Sequence, residues 1–123
     1  MNEEILTLIE QGKYADARKE IVEMNVVDIA QLFEELDRQK LLVVFRILPK
    51  DVASGVFSYI PNELQKYIIE SITDKEIKTI IDELFLDDTI AFLEEMPSNI
   101  VKKVLKNTDE ETRKLINQFL NYP

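Results

Sequence analysis

The 123-residue chain contains no cysteine, histidine or tryptophan, and only two glycines. Without Cys and His it lacks the ligands of zinc, haem and iron–sulfur sites, the thiols of a disulfide framework, and the base of the usual nucleophilic triads. Gly12 and Gly55 stand alone in the sequence, so they form neither a P-loop nor a dinucleotide-binding fingerprint. The four tyrosines and the serines have no recognisable activating base nearby. We therefore expect that the protein is not an enzyme.

Acidic residues outnumber basic residues by 24 to 15, which gives a formal charge of −9. This balance disfavours nucleic acids and anionic membrane surfaces as partners, and it favours cations or basic surfaces. The longest apolar run covers only residues 41–45, whereas a membrane-spanning helix needs about 20 apolar residues. The acidic N-terminus is not a signal peptide. We therefore expect a soluble, cytoplasmic chain that does not insert into the membrane.

A twelve-residue repeat runs through residues 25–120. Each repeat carries apolar residues at positions i, i+1 and i+4, which form one stripe on a helix. Across the repeats, the residues at one position form a column. The second column, at position i+1, begins with Phe33, Phe45 and Phe57. These phenylalanines either line a ligand groove or belong to the core, and the core is the favoured interpretation. The first column is apolar at all eight positions: Leu32, Val44, Val56, Ile68, Ile80, Phe92, Val104 and Ile116.

Helix-stopping and helix-capping residues separate the repeats. Thr73–Glu76 and Thr108–Glu111 read as capping boxes, and Ser98 reads as a further cap. Residues 3–11 and 14–24 predict an additional helical hairpin, with Gly12 as the helix C-cap. We predict a single all-α domain: a superhelical array, or solenoid, of about ten short antiparallel helices. Each helix has nine or ten residues and is followed by a turn of two or three.

Acidic side chains concentrate in residues 79–101, a stretch without Lys or Arg. Carboxylate oxygens suit a hard cation such as Mg²⁺, which needs only one or two carboxylates if another surface supplies the remaining ligands. The alternative is that these are ordinary surface acids, with Asp87 capping a helix that begins at Asp88. A glycosidase-like carboxylate pair is disfavoured because no aromatic platform lies nearby. The candidate metal ligands are Asp82, Glu83, Asp87, Asp88 and Glu94.

Three segments carry a resemblance to a known family. They are DIAQLFEEL at 28–36, FRILP at 45–49 and IDELFLDD at 81–88. In this order and spacing they resemble the N-terminal intracellular domain of MgtE magnesium transporters. The resemblance runs from about Val26 to Pro123, where residues 121–123 resemble the start of the family's junction to a CBS-domain pair.

The resemblance implies a right-handed superhelix on the cytoplasmic side of the membrane, followed by CBS domains and a transmembrane pore in a homodimeric protein. It also implies that high intracellular Mg²⁺ bridges acidic surfaces of this domain and the CBS domains, which favours the closed pore. Asp87 corresponds to a Mg²⁺ ligand of the family. Two further acidic positions correspond to Gly55 and Ala91, which have no ligating side chain. The alternative function is a protein-interaction scaffold without metal, similar to the short-helix superhelices of flagellar rotor proteins.

Overall fold

The computed structural model describes residues 2–120, and all regular secondary structure in that range is α-helical. The predicted all-α array of about ten short helices is confirmed. From α3 to α9, each helix has nine or ten residues and is followed by two or three connecting residues. The helices are α1 Asn2–Glu10, α2 Tyr14–Ile21, α3 Val26–Glu34, α4 Arg38–Ile47, α5 Lys50–Tyr59, α6 Asn62–Ser71, α7 Asp74–Glu83, α8 Leu86–Glu94, α9 Ser98–Lys106 and α10 Glu110–Leu120.

The helices fall into two compact units, residues 1–60 and residues 61–123. In the first unit α1 packs on α2, α2 on α4, and α3 on α5; in the second unit α6 packs on α9 and α8 on α10. The assignment of residues 1–123 to a single domain remains a prediction. The predicted junction at 121–123 lies outside the described residues. No helix between residues 2 and 120 is long and apolar enough to cross a membrane.

The core is built from the columns of the twelve-residue repeat. All eight residues of the first column are buried, as are the first seven of the second. Phe45 packs between Phe33 and Phe57, with ring centroids 6.4 and 6.5 Å away. Such edge-on and tilted ring pairs stabilise a core, so these phenylalanines are packing residues rather than a groove lining.

Side-chain caps begin several of the helices. Asn25 and Asp37 accept backbone N–H groups at the starts of α3 and α4. The capping box predicted at Thr73–Glu76 is present, with reciprocal bonds of 3.1 and 3.0 Å.

Two other cap predictions are wrong by one residue. The Thr108–Glu111 box is absent because Thr108 is buried and donates its hydroxyl to the Leu105 carbonyl. Asp109 caps α10 instead, through a 2.7 Å bond from the Thr112 N–H. Ser98 is the first residue of α9, and Pro97 holds the cap position.

Gly12 ends α1 as predicted. Its φ of 73° lies in the left-handed region, which glycine adopts without steric cost. The Gly12 N–H donates to Ile9 and the Lys13 N–H donates to Leu8, at 3.0 and 2.8 Å. This pair of bonds is the Schellman motif, and it turns the chain into α2.

Candidate functional site

Four of the five candidate ligands flank the turn between α7 and α8. Asp82 and Glu83 are the last two residues of α7, Leu84 and Phe85 form the connection, and Asp87 and Asp88 lie in the first turn of α8. All four carboxylates are exposed. The short connection therefore brings two pairs of acidic residues to the same end of the α7–α8 hairpin.

Asp87 does not cap α8, in contrast to the alternative considered from the sequence. The helix begins at Leu86 and its N-cap residue is Phe85, which makes no side-chain cap bond. Asp87 and Asp88 are thus the second and third helical residues, and within residues 2–120 their carboxylates have no hydrogen-bond or ion-pair partner. Negative side chains are favoured in the first turn because the amide dipoles there point positive.

Asp82 is accompanied by a cation of the protein itself. The Lys78 ammonium lies 3.0 Å from its carboxylate, one helical turn earlier in α7. This pair lines a small groove of about 380 Å³ between α7, α8 and the start of α10, where Asp109 and Leu115 are also found. A metal ion at Asp82 would compete with this ammonium for the carboxylate.

Asp109 is held ionised by neighbouring groups. The backbone N–H of Thr112 is the main cause of a lowered pKa for the Asp109 carboxyl, and the charges of Lys78 and Arg113 lower this pKa further. Lys78 therefore faces two carboxylates, those of Asp82 and Asp109.

Glu94 lies apart from the other candidates. It is the last residue of α8, about 10 Å along the helix axis from Asp87 at 1.5 Å per residue. Glu83 and Glu94 both end their helices, where the carbonyl dipoles disfavour negative charge by a few tenths of a kcal/mol. Within residues 2–120 no three acidic side chains come close enough to hold a metal ion.

Gly55 and Ala91, the two positions that the resemblance pairs with acidic residues, lie in unlike surroundings. Ala91 is exposed on α8, one turn after Asp87. Gly55 lies inside α5, where a Cβ atom would meet Val26 of α3 at 3.1 Å. The glycine therefore permits the close packing of α3 on α5.

Two features of the site were missed by reasoning from sequence. The i, i+4 spacing of Lys78 and Asp82 was an available signal for the ion pair, but Lys78 lies just outside the stretch that lacks basic residues. Phe85 is 80% exposed beside the acidic residues. In the sequence, only its position between two predicted helices distinguished Phe85 from the buried phenylalanines.

The fold has a close counterpart among solved structures. The crystal structure of the cytosolic domain of the Mg²⁺ channel MgtE in complex with ATP matches with a TM-score of 0.82 and 24% sequence identity. The match covers 100% of this chain and 51% of that chain, so this chain spans about half the length of that solved chain.

Comparison by sequence gives a family. No curated protein matches the sequence. The family model of the MgtE intracellular N domain matches residues 24–123, which is most of the chain and agrees with the resemblance seen in its motifs. The chain therefore belongs to the MgtE intracellular N domain family.

Proposed function

We propose that this chain is the cytosolic regulatory domain of a magnesium transporter or channel and that it senses intracellular Mg²⁺ through acidic surface residues. At high Mg²⁺, ions shared with a CBS-domain pair of the same protein would hold the two acidic surfaces together and favour the closed pore. At low Mg²⁺ the surfaces would repel each other and separate. The full-length protein would be a homodimer with its transmembrane domain in the cell membrane.

The observation that carries the proposal is the family match over residues 24–123. The carboxylates at the α7–α8 turn support it. Asp87 and Asp88 have neither a basic nor a hydrogen-bonding partner within residues 2–120, whereas Asp82 already faces Lys78. We therefore expect Asp87 and Asp88 to contribute most, with Glu83 across the turn, and Asp82 and Glu94 to contribute less.

The geometry also supports the proposal of an ion shared between two surfaces. The described residues do not bring three carboxylates together, whereas Mg²⁺ takes six oxygen ligands at about 2.1 Å and retains several of them as water. Two carboxylates at the start of a helix are therefore sufficient as one half of a site. An ion bound in this way is held weakly until a second surface adds ligands.

A Mg²⁺ titration of the chain, followed by amide chemical shifts at constant ionic strength, tests the proposal. We expect saturable shifts confined to residues 82–95 and centred on Asp87 and Asp88. The double substitution Asp87→Asn/Asp88→Asn should abolish them. Glu110→Gln/Glu111→Gln is the matched control, since it removes two acidic charges from the first turn of α10 and should leave the shifts unchanged.

Ala91→Asp provides a test in the opposite direction. The new carboxylate lies one turn from Asp87, where like charges repel by roughly 0.2–0.5 kcal/mol, and a bound cation relieves that repulsion. We expect the variant to saturate at lower Mg²⁺ than the parent chain. Shifts that spread evenly over all acidic surfaces, or that survive in Asp87→Asn/Asp88→Asn, would contradict the proposal and favour the scaffold function without metal.

A further inference from the structure

The first unit contains a groove that the proposed Mg²⁺ function does not use. It has a volume of about 780 Å³ and is formed by α1, α2, the turn after α2, α3 and the residue that follows α3. Part of the groove comes from α1 and α2, which precede the residues matched by the family model.

The rim of the groove is strongly acidic. It carries six carboxylates and one ammonium, that of Lys19, whereas residues 1–60 as a whole contain eleven acidic and seven basic side chains. The side chains of the groove therefore carry a net charge of −5, whereas those of residues 1–60 together carry −4. The remaining side chains of this unit are slightly positive. The rim carboxylates belong to Glu3, Glu4, Glu20, Glu23, Asp28 and Glu35.

Part of this charge is uncompensated. Glu4, Glu20 and Glu23 are exposed, and within the described part of the chain their carboxylates have no hydrogen-bond or ion-pair partner. Glu35 accepts a 3.2 Å hydrogen bond from Asn2, and Asp28 accepts one of 2.9 Å from Asn25. Both donors are neutral amides, so these bonds orient the two carboxylates without reducing the negative charge.

The floor of the groove is apolar. Ile5 is buried, and Leu6 and Met24 are half-buried between the acidic rims. Unbranched methionine adapts to the shape of different apolar partners. Inorganic cations would be attracted to the rim alone, but they cannot cover the floor. The combination suits a ligand with basic groups around an apolar stripe.

We propose that this groove is the docking site for a basic amphipathic helix of a protein partner. Apolar side chains at i, i+3, i+4 and i+7 would cover Leu6 and Met24, and flanking Lys and Arg would face the carboxylates of Glu20 and Glu23. The argument for this occupant is charge complementarity around an apolar floor. The proposal is independent of Mg²⁺ sensing, since its residues lie in 2–35 and the candidate metal ligands lie in 82–94.

Fluorescence anisotropy of the chain with a labelled model helix tests the proposal. The probe is an 18-residue amidated peptide of Leu and Lys, with Leu at the i, i+3, i+4 and i+7 spacing. The control is a scrambled peptide of the same composition, which keeps the charge and loses the stripe. We expect the amphipathic peptide to bind at least tenfold more tightly, with amide shifts confined to residues 2–35, which contain the groove.

Two charge variants identify the surface. Glu20→Gln/Glu23→Gln should weaken peptide binding at least tenfold and leave the Mg²⁺ shifts unchanged. Asp87→Asn/Asp88→Asn removes the same charge elsewhere and should change peptide binding by less than twofold. The two proposals can therefore fail separately. Circular dichroism of each variant checks that the fold is retained.

A floor variant separates docking from diffuse attraction. Met24→Gln keeps the length of the side chain and all charges, so a purely electrostatic contact would not respond to it; we expect at least threefold weaker binding. Any one of five results would overturn the proposal. Three concern the comparisons: equal binding of the scrambled peptide, equal losses in the two charge variants, or no response to Met24→Gln. The other two are no binding at all and amide shifts outside the groove.

Discussion

Replacing Gly55 by alanine tests the close packing of α3 on α5. A glycine inside a helix costs about 1 kcal/mol relative to alanine, so the substitution would stabilise an isolated helix. In the folded chain the added Cβ would lie 3.1 Å from Cγ1 of Val26, well inside the roughly 3.5–4.0 Å of a favourable carbon–carbon contact. Overpacking of this kind costs about 1–3 kcal/mol.

The two effects oppose each other, so Gly55→Ala alone should be between neutral and about 2 kcal/mol destabilising. Val26→Ala removes the obstructing atom. In that background Gly55→Ala should stabilise by about 1 kcal/mol, which gives a coupling of about 1–3 kcal/mol in the double-mutant cycle. Only the coupling is diagnostic, because each single change also alters helix propensity.

Urea unfolding followed by circular dichroism at 222 nm measures all four free energies, and equal m values confirm that the cycle compares the same transition. If Gly55→Ala stabilises both backgrounds equally, to within roughly 0.5 kcal/mol, the contact is not tight and the packing explanation is wrong. An acidic residue at position 55 would begin with the same Cβ contact. The cycle therefore also tests whether position 55 could accommodate an acidic side chain.

Three further predictions concern single side chains. Ser54 is buried, and its hydroxyl has no hydrogen-bond partner among the described residues; Ser54→Ala should therefore stabilise by about 1 kcal/mol, seen by calorimetry as a melting temperature about 4 °C higher. Thr73→Ala should cost about 1 kcal/mol in urea unfolding through loss of the α7 capping box, whereas Thr73→Ser should cost far less. The pKa of Asp109 is lowered in the folded state, so its charge contributes stability that is complete above the unfolded pKa of about 3.9 and is lost as pH falls through the lower folded value. The excess stability of the parent chain over Asp109→Asn should accordingly be constant from pH 7 to about 5 and should shrink below about pH 4; an excess that persists undiminished at pH 2 would contradict this.

Local patterns in the sequence predicted the helices well because each helix is short and its turn follows at once. The three apolar residues of each twelve-residue repeat specify which face of the helix is buried. The residue that follows them lies outside the helix. The error at α10 occurred where two adjacent residues, Thr108 and Asp109, were both good caps. Thr108 occupies the third apolar column and is buried, so the exposed Asp109 became the cap of α10.

The sequence predicted that four of the five candidate ligands lie together; their binding of a metal stays a prediction. Asp82, Glu83, Asp87 and Asp88 share one end of a hairpin because the connection between α7 and α8 has only two residues. Their individual surroundings did not follow from the count of charges. The helix starts two residues earlier than the alternative assumed, and Lys78 neutralises Asp82 from one turn away.

The sequence by itself determined the all-α class, the twelve-residue period, the buried columns and the family, because helix formation and apolar stripes depend on neighbours within about one turn. The tertiary structure decided which distant residues meet. Val26 packs against position 55, and Asn2 bonds Glu35 across 33 residues. The acidic groove exists for the same reason: its carboxylates come from three helices and the two connections after α2 and α3, and their separations depend on helix packing that no local pattern encodes.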